Sequence, residues 1–318
     1  MIRSTERLDA LAAETGFQPQ ALEKVIRLGE VAADIARHPL LSRALALKGG
    51  TALNLLRGAP GRLSVDLDFN YIGQAGRAGM QQARPRVEHA LEAIGTGQGY
   101  RIQRSRDAHA GRKLYLAYTN ASGTADRIEV DLNFLHRTPL GGIATHELWQ
   151  PPGIDRPVIA IVPMEELIAG KLHAALDRCM PRDLFDVMRL PGLAGEVWET
   201  TRMRRIHVAL AATLPHPLYD YASDRFDRVN ERQVREQLLP MLQVDQPPTA
   251  DALKADAWRV MAPLVDLSEA EREYIDCVHA GELRPELLFP DDETLVARLH
   301  EHPALQWKLD NVKRNRPR

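Results

Sequence analysis

The chain has 318 residues, room for two domains or one large one, and its 41 Lys and Arg against 43 Asp and Glu leave a formal net charge of −2. Charge this near balance supplies no global basic field for nucleic acid, so any such binding must use a local patch. No run of about 18 apolar residues offers a membrane span. The opening "MIRSTERLDALAAETG" lacks the apolar core of a secretory signal, and two cysteines, Cys179 and Cys277, form neither a disulfide framework nor a metal-ligand spacing. The expectation is a reduced, cytoplasmic protein.

Two helices are predicted before the first strand, with Pro19 opening "PQALEKVIRLGEVAADIARH". Strand-like runs follow at "LALK", "SVDLDFNYI", "YRIQRS", "KLYLAYT", "RIEVDLNFL" and "VIAIV". Between the first two, "LKGGTALNLL" reads as a glycine turn entering a helix, with Thr51 a candidate N-cap. Prolines at 151, 152 and 157 mark a weak joint, and "QVDQPPTA", Gln243 to Ala250, marks a second. After "VIAIV" the pattern turns helical, beginning "PMEELIAGKLHAALDRCM". There Pro163 suits a first helical position and Glu165 and Glu166 suit the positive end of the helix. The expected layout is α+β: a mixed sheet flanked by helices over residues 1–157, then a mostly helical domain over residues 158–318.

In "SVDLDFN", Val65, Leu67 and Phe69 alternate with Asp66, Asp68 and Asn70. A strand sends successive side chains to opposite faces, so the two aspartates share a face roughly 7 Å apart. Carboxylates repel, and a Mg²⁺ ion held by one or two of them and completed by phosphate oxygens would relieve the repulsion. A wet strand face with two solvated aspartates is the plainer alternative. "RIEVDLNF" repeats the grammar with Glu129, Asp131 and Asn133 on one face; paired beside the first strand, Asp131 becomes a third carboxylate, able to help hold two cations. Gly49 and Gly50 would let backbone N–H groups approach phosphate closely, although a bare glycine pair is often only a turn.

On the helical side, Lys171 and Arg178 lie seven residues apart, on one face, and "PRDLFDV" places Asp183 and Asp186 at i and i+3. Lys171 could reach phosphates as a point charge. Ion pairs between two packed helices explain the same residues: Arg178 or Lys171 with Asp183, and Arg182 with Asp186. His173 points elsewhere and reads as structural or surface. No H-E-x-x-H or paired histidine spacing suggests zinc, and no serine has a G-x-S-x-G setting.

Gly-Gly-Thr followed by D-x-D and a later strand aspartate resembles the nucleotidyltransferase superfamily typified by DNA polymerase beta. More narrowly, "LKGGTALNLL", "GRLSVDLDF", "ELIAGKLHAALDR" and "PRDLFDV" together resemble the AbiEii/AbiGii (MenT-like) family, toxins of type IV toxin–antitoxin and abortive-infection systems. "LEKVIRL" and "HPALQWKLDNV" fit it less diagnostically. The resemblance implies a nucleotidyltransferase-like mixed sheet and a helical C-terminal domain that completes the active-site cleft. It implies that Gly49, Gly50 and Thr51 handle the phosphates of a nucleoside triphosphate and that Asp66 and Asp68 bind Mg²⁺, or Mn²⁺ in its place. It gives Lys171 and Asp183 functional weight, with Lys171 also reaching the nucleotide, and Arg62 and Ser64 fit its pattern as phosphate contacts or as ties for the loop. Superfamily glycine turns often carry Ser where Thr51 stands, and Asp131 matches the third carboxylate by strand pattern only.

The implied reaction is nucleotide transfer to an RNA acceptor, with the tRNA 3′ end the leading case, and the implied partner is a winged-helix, DNA-binding, AbiEi-like antitoxin. Transfer to a small molecule or protein hydroxyl, and an inactive module that sequesters nucleotide or RNA, are the rivals. Cationic partners for RNA would be Arg101, Arg104 and Arg106 on one strand, the group Arg202, Arg204 and Arg205, and a solvated basic tail from Lys308 to Arg318.

Overall fold

The computed structural model describes residues 4–56, 58, 60–106, 111–243 and 247–315. The chain divides into two compact units, Met1–Val162 with Leu239–Pro247, and Pro163–Leu238 with Pro248–Arg318. The sheet belongs to the first unit. Its elements are α1 (Thr5–Thr15), α2 (Pro19–Arg37), α3 (Leu41–Ala44), β1 (Leu45–Lys48), α4 (Gly49–Leu55), β2 (Asp66–Tyr71), α5 (Arg77–Gly97), β3 (Arg101–Arg104), β4 (Gly111–Thr119), β5 (Ala125–Asn133), β6 (Ala144–Glu147) and β7 (Val158–Ile161).

Seven strands order as β3-β4-β5-β2-β1-β7-β6. The sheet is mixed: β2 runs parallel to β5 and β1 parallel to β7, while the other pairings are antiparallel. One face is apolar. Leu45, Leu47, Leu67, Phe69, Leu114, Leu116, Val130 and Leu132 are all buried, and α2, with Leu22, Val25, Ile26 and Ile35 buried, packs against β2, β5 and β7. Alternation then obliges Asp66, Asp68, Glu129 and Asp131 onto the other face. There the four are half-buried rather than sealed in the core.

Two expectations need adjusting here. A one-turn helix, α3, stands between the two predicted helices and β1, and β6 was not foreseen: all four of its residues are exposed, so it lacks the alternation that betrays a half-buried strand. The sheet also runs past residue 157, because Val158–Ile161 pairs with β1 and β6. Late in the chain, Leu239–Pro247 contributes to this unit: the Leu63 N–H donates to the Met241 carbonyl at 2.8 Å, and Arg62 forms a bridge with Leu242. Of the joint expected at Gln243–Ala250, residues 244–246 lie outside the described residues.

The second unit is helical among its described residues: α6 (Met164–Asp177), α7 (Pro181–Ala194), α8 (Thr201–Ala211), α9 (Glu231–Gln237), α10 (Ala250–Val265), α11 (Glu269–His279), α12 (Glu293–His300) and α13 (Pro303–Asn315), joined in places by short 3₁₀ turns. Pro163 is the N-cap of α6 and not its first helical residue, with Glu165 and Glu166 in the first turn. α6 packs on α7 and α8, and α7 packs on α10. No described helix is long and apolar enough to cross a membrane.

Candidate active site

The strand register builds the site. Lys48 on β1 pairs with Asp68 on β2, Asp68 with Asp131 on β5, and Asp131 with Lys113 on β4. Residues directly opposite one another share a face, so four neighbouring strands carry one row reading Lys–Asp–Asp–Lys. In the next row Asp66 lies opposite Glu129. Lys113 Nζ lies 3.5 Å from Asp131 Oδ2 and 3.7 Å from Glu129 Oε2. Burial raises the Asp131 carboxyl above its ordinary value; Lys113 pulls it back down and the Asp68 carboxylate pushes it further up.

The glycine turn meets this row directly. Gly49 opens α4 at φ +74°, and a Cβ placed on it would lie 2.3 Å from Asp68 Oδ2. Only glycine allows both that left-handed backbone and that approach. The missing side chain thus gives the Asp68 carboxylate its place.

Thr51 corrects an expectation. The N-cap of α4 is Lys48, and Thr51 is inside the helix and fully buried, its hydroxyl donating to the Asp66 backbone carbonyl. Its hydroxyl ties α4 to β2 at the first of the two aspartates. Gly50 is buried too, and its carbonyl accepts from Asn54 Nδ2 at 3.0 Å. Arg62 and Ser64 are buried just before β2; Arg62 Nη1 donates to the Leu63 carbonyl at 2.8 Å, which favours the loop-tying role.

Asp131 lies beside Asp68 on the same sheet face. Among the described residues no group of three or more His, Cys, Asp or Glu side chains is arranged to hold a metal ion. The third carboxylate is opposite Asp68 as the strand pattern suggested, but an ammonium occupies it. The pair Asp66 and Asp68 suits a hard divalent ion that takes one or two carboxylates and fills its remaining positions with phosphate oxygens and water.

Lys171, Asp183 and Asp186 form a separate cluster within the second unit. Lys171 Nζ lies 2.7 Å from Asp186 Oδ2 and 3.4 Å from Asp183 Oδ1, and all three residues are buried. Arg178, at the C-cap of α6, donates to Asp183 through Nε at 2.6 Å and Nη2 at 2.8 Å. Burial acts to raise the Asp183 carboxyl, but the Arg178 hydrogen bond and the charges of Lys171 and Arg178 outweigh it and hold the group below its ordinary value. The i, i+3 spacing brings both aspartates to one lysine. Asp186, expected opposite Arg182, takes the shortest contact to Lys171.

The basic groups expected to meet RNA are largely engaged. Arg104 pairs with Glu92, and Arg106 lies beyond the end of β3, so the two do not share a strand face. Arg202 contacts Asp292 at 3.2 Å and Glu165 at 3.6 Å; Arg204 holds Glu271 and the carbonyls of Pro263 and Asp266. Lys308, expected in a solvated tail, is buried in α13 and donates to the Leu214 carbonyl at 2.6 Å, while residues 316–318 lie outside the described residues. Arg101 is exposed.

A family model described as nucleotidyl transferase AbiEii toxin, type IV toxin–antitoxin system, matches residues 33–280. The chain belongs to this family. It is accordingly a nucleotidyltransferase of the AbiEii toxin type, and the resemblance read from its motifs holds. Among solved structures, the AbiEii-family chain is similar to MenT4, a nucleotidyltransferase toxin from Mycobacterium tuberculosis H37Rv. The TM-score is 0.64 at 21% identity, covering 92% of this chain and 98% of that one. At that identity the likeness is one of fold, and it extends over both units. No match is found among curated protein sequences.

The residue missed in the AbiEii-family sequence is Lys113. Its position in "KLYLAYT" marks a strand, but only the β4–β5 register sets it opposite Asp131. Lys48, quoted with the glycines, likewise gains meaning only once β1 is paired with β2.

Proposed function

We propose that this protein transfers a nucleotide from a nucleoside triphosphate to an RNA acceptor, the tRNA 3′ end, in a Mg²⁺-dependent reaction in the cytoplasm. We further propose that a winged-helix, AbiEi-like antitoxin restrains it. The carrying observation is the pair Asp66 and Asp68 on one half-buried strand face, with Gly49 pressed against Asp68. A divalent ion on these carboxylates would neutralise triphosphate oxygens, the task such ions perform in phosphoryl transfer. Asp66 and Asp68 would hold it, Thr51 fixes the strand beneath Asp66, and Gly49 and Gly50 keep the turn slim enough for the phosphates to approach. An acceptor hydroxyl attacks the α-phosphorus, the bond to the β-phosphate oxygen breaks and pyrophosphate leaves. Most of the protein's contribution is then positioning and charge neutralisation.

We assign Lys171 and Asp183 to the same reaction on family resemblance, with Arg178 and Asp186 fixing them. The test is incubation with labelled triphosphates, Mg²⁺ and total RNA. Label should enter tRNA, vanish in Asp66→Ala and Asp68→Ala, and fail to enter RNA whose terminal 2′ and 3′ hydroxyls have been oxidised. Equal labelling of oxidised RNA, or labelling of protein or a small molecule, would overturn the acceptor and leave the transferase chemistry standing.

A further inference from the structure

We propose that Lys113 is the resident second cation of the carboxylate row: it holds Asp131, so that the site takes one divalent ion, on Asp66 and Asp68, and not two. This rests on reading those two aspartates as the metal carboxylates.

The argument begins with the strand. Along β4, Arg112 turns away to Glu88 on α5 at 3.2 Å, Leu114 is in the core, and Lys113 faces the carboxylates. The β4–β5 ladder is antiparallel and pairs every residue from Gly111 to Thr119. A one-residue slip would put Leu114 on the wet face and Lys113 in the core, so Lys113 has no other register available. Register therefore fixes the Lys113 backbone at the end of the row, from which its ammonium reaches the carboxylates. It touches Asp131 at 3.5 Å and Glu129 at 3.7 Å, straddling two rows.

Two-metal sites hold their ions about 3.5–4 Å apart and share a carboxylate between them. A second ion here would need the oxygens of Asp131, the carboxylate directly beside Asp68. It would meet the Lys113 ammonium already beside that group. Lysine is a compact, strongly charged donor without acceptor capacity, so it cannot join the ion's coordination shell and can only repel it. The carboxylate row thus contains its own charge balance: Lys48 beside Asp68 and Lys113 beside Asp131. Lys113 is a positioning residue acting through Asp131.

The test counts ions on the full-length protein with Mn²⁺ alone as the probe, read by electron paramagnetic resonance of the free ion. Wild type should bind one Mn²⁺ and lose it in the Asp66→Ala/Asp68→Ala double variant. Lys113→Ala should bind two, Lys113→Arg should restore one, and Lys113→Ala/Asp131→Asn should also bind one. The Lys113 side chain is 45% exposed, so its removal should leave the melting temperature close to wild type. A wild type that binds two ions and drops to one in Asp131→Asn, or a Lys113→Ala variant that still binds one, would overturn the proposal while leaving the Asp66 and Asp68 reading intact. A wild-type ion that survives loss of both Asp66 and Asp68 would overturn that reading and the proposal with it.

Discussion

At Gly49 a left-handed backbone and a carboxylate compete for the same few ångströms: φ is +74°, and an added Cβ would fall 2.3 Å from Asp68 Oδ2. Gly49→Ala is therefore expected to destabilise by more than about 1 kcal/mol and to displace Asp68, cutting nucleotide transfer at least ~10-fold, a rise of about 1.4 kcal/mol in the barrier. Thermal melts of a double-mutant cycle check the cause: in an Asp68→Ala background Gly49→Ala should lose less, because part of the clash is gone. Lys171 poses the opposite case. Its charge serves two buried carboxylates, so Lys171→Ala should lose on the order of 3–5 kcal/mol of stability, the usual result of breaking a buried pair, measurable by denaturant unfolding. Its effect on chemistry must then be read as activity per folded molecule. The residues that could be recognised beforehand were those set by period-two alternation, Asp66 and Asp68. Thr51 was misplaced because a hydroxyl in the first turn of a helix looks the same in sequence whether it caps the end or bonds a neighbouring strand.

Between elements, the packing of α6 on α8 carries a titratable seam. His173 Nε2 lies 3.2 Å from the His207 carbonyl, the rings are 5.1 Å apart, and His207 is fully buried. Burial pushes both imidazoles below their ordinary value, His173 to about 4. The unfolded chain then takes up protons first as pH falls, so this contribution to stability is complete above about pH 6.5 and drains away toward pH 4. Melting temperature should fall from pH 7 to pH 5, and His173→Gln, which cannot titrate, should flatten the fall. Asp183 contributes separately and lower: its depressed carboxyl supports the fold above the ordinary carboxylate range and loses that support only as pH drops through its folded value. Of the two expectations for His173, structural or surface, its contact with His207 favours the structural one. Strand existence was also legible wherever one face is buried, and β6 escaped because neither of its faces is. The register of β4 against β5 was not legible. No local property of "KLYLAYT" states which residue of another strand will lie beside Lys113; the pairing arises from the whole ladder.

For the molecule as a whole, the helical turn after "VIAIV" was visible in the pattern, and the first unit's sheet contains all six of the predicted strands. What composition could not reveal is that the chain supplies Leu239–Pro247 to a unit it had left at Val162. This sets an expectation for truncation. Residues 1–162 expressed alone should melt at a lower temperature than the same chain with residues 239–247 rejoined through a glycine–serine linker, as differential scanning calorimetry would record.

The contact that makes the difference is small: the Leu63 amide on the Met241 carbonyl and the bridge between Arg62 and Leu242, two residues upstream of Val65 and the strand that carries Asp66 and Asp68. During synthesis, the loop leading into those aspartates must wait until Met241, 178 residues after Leu63, is made before its partner exists. A ribosome still short of Met241 therefore carries a nascent chain whose carboxylate strand lacks its last backbone anchor. For a toxin-family enzyme, that delay ties the final setting of its acidic strand to translation past Leu242, so fragments terminated earlier would be released without it.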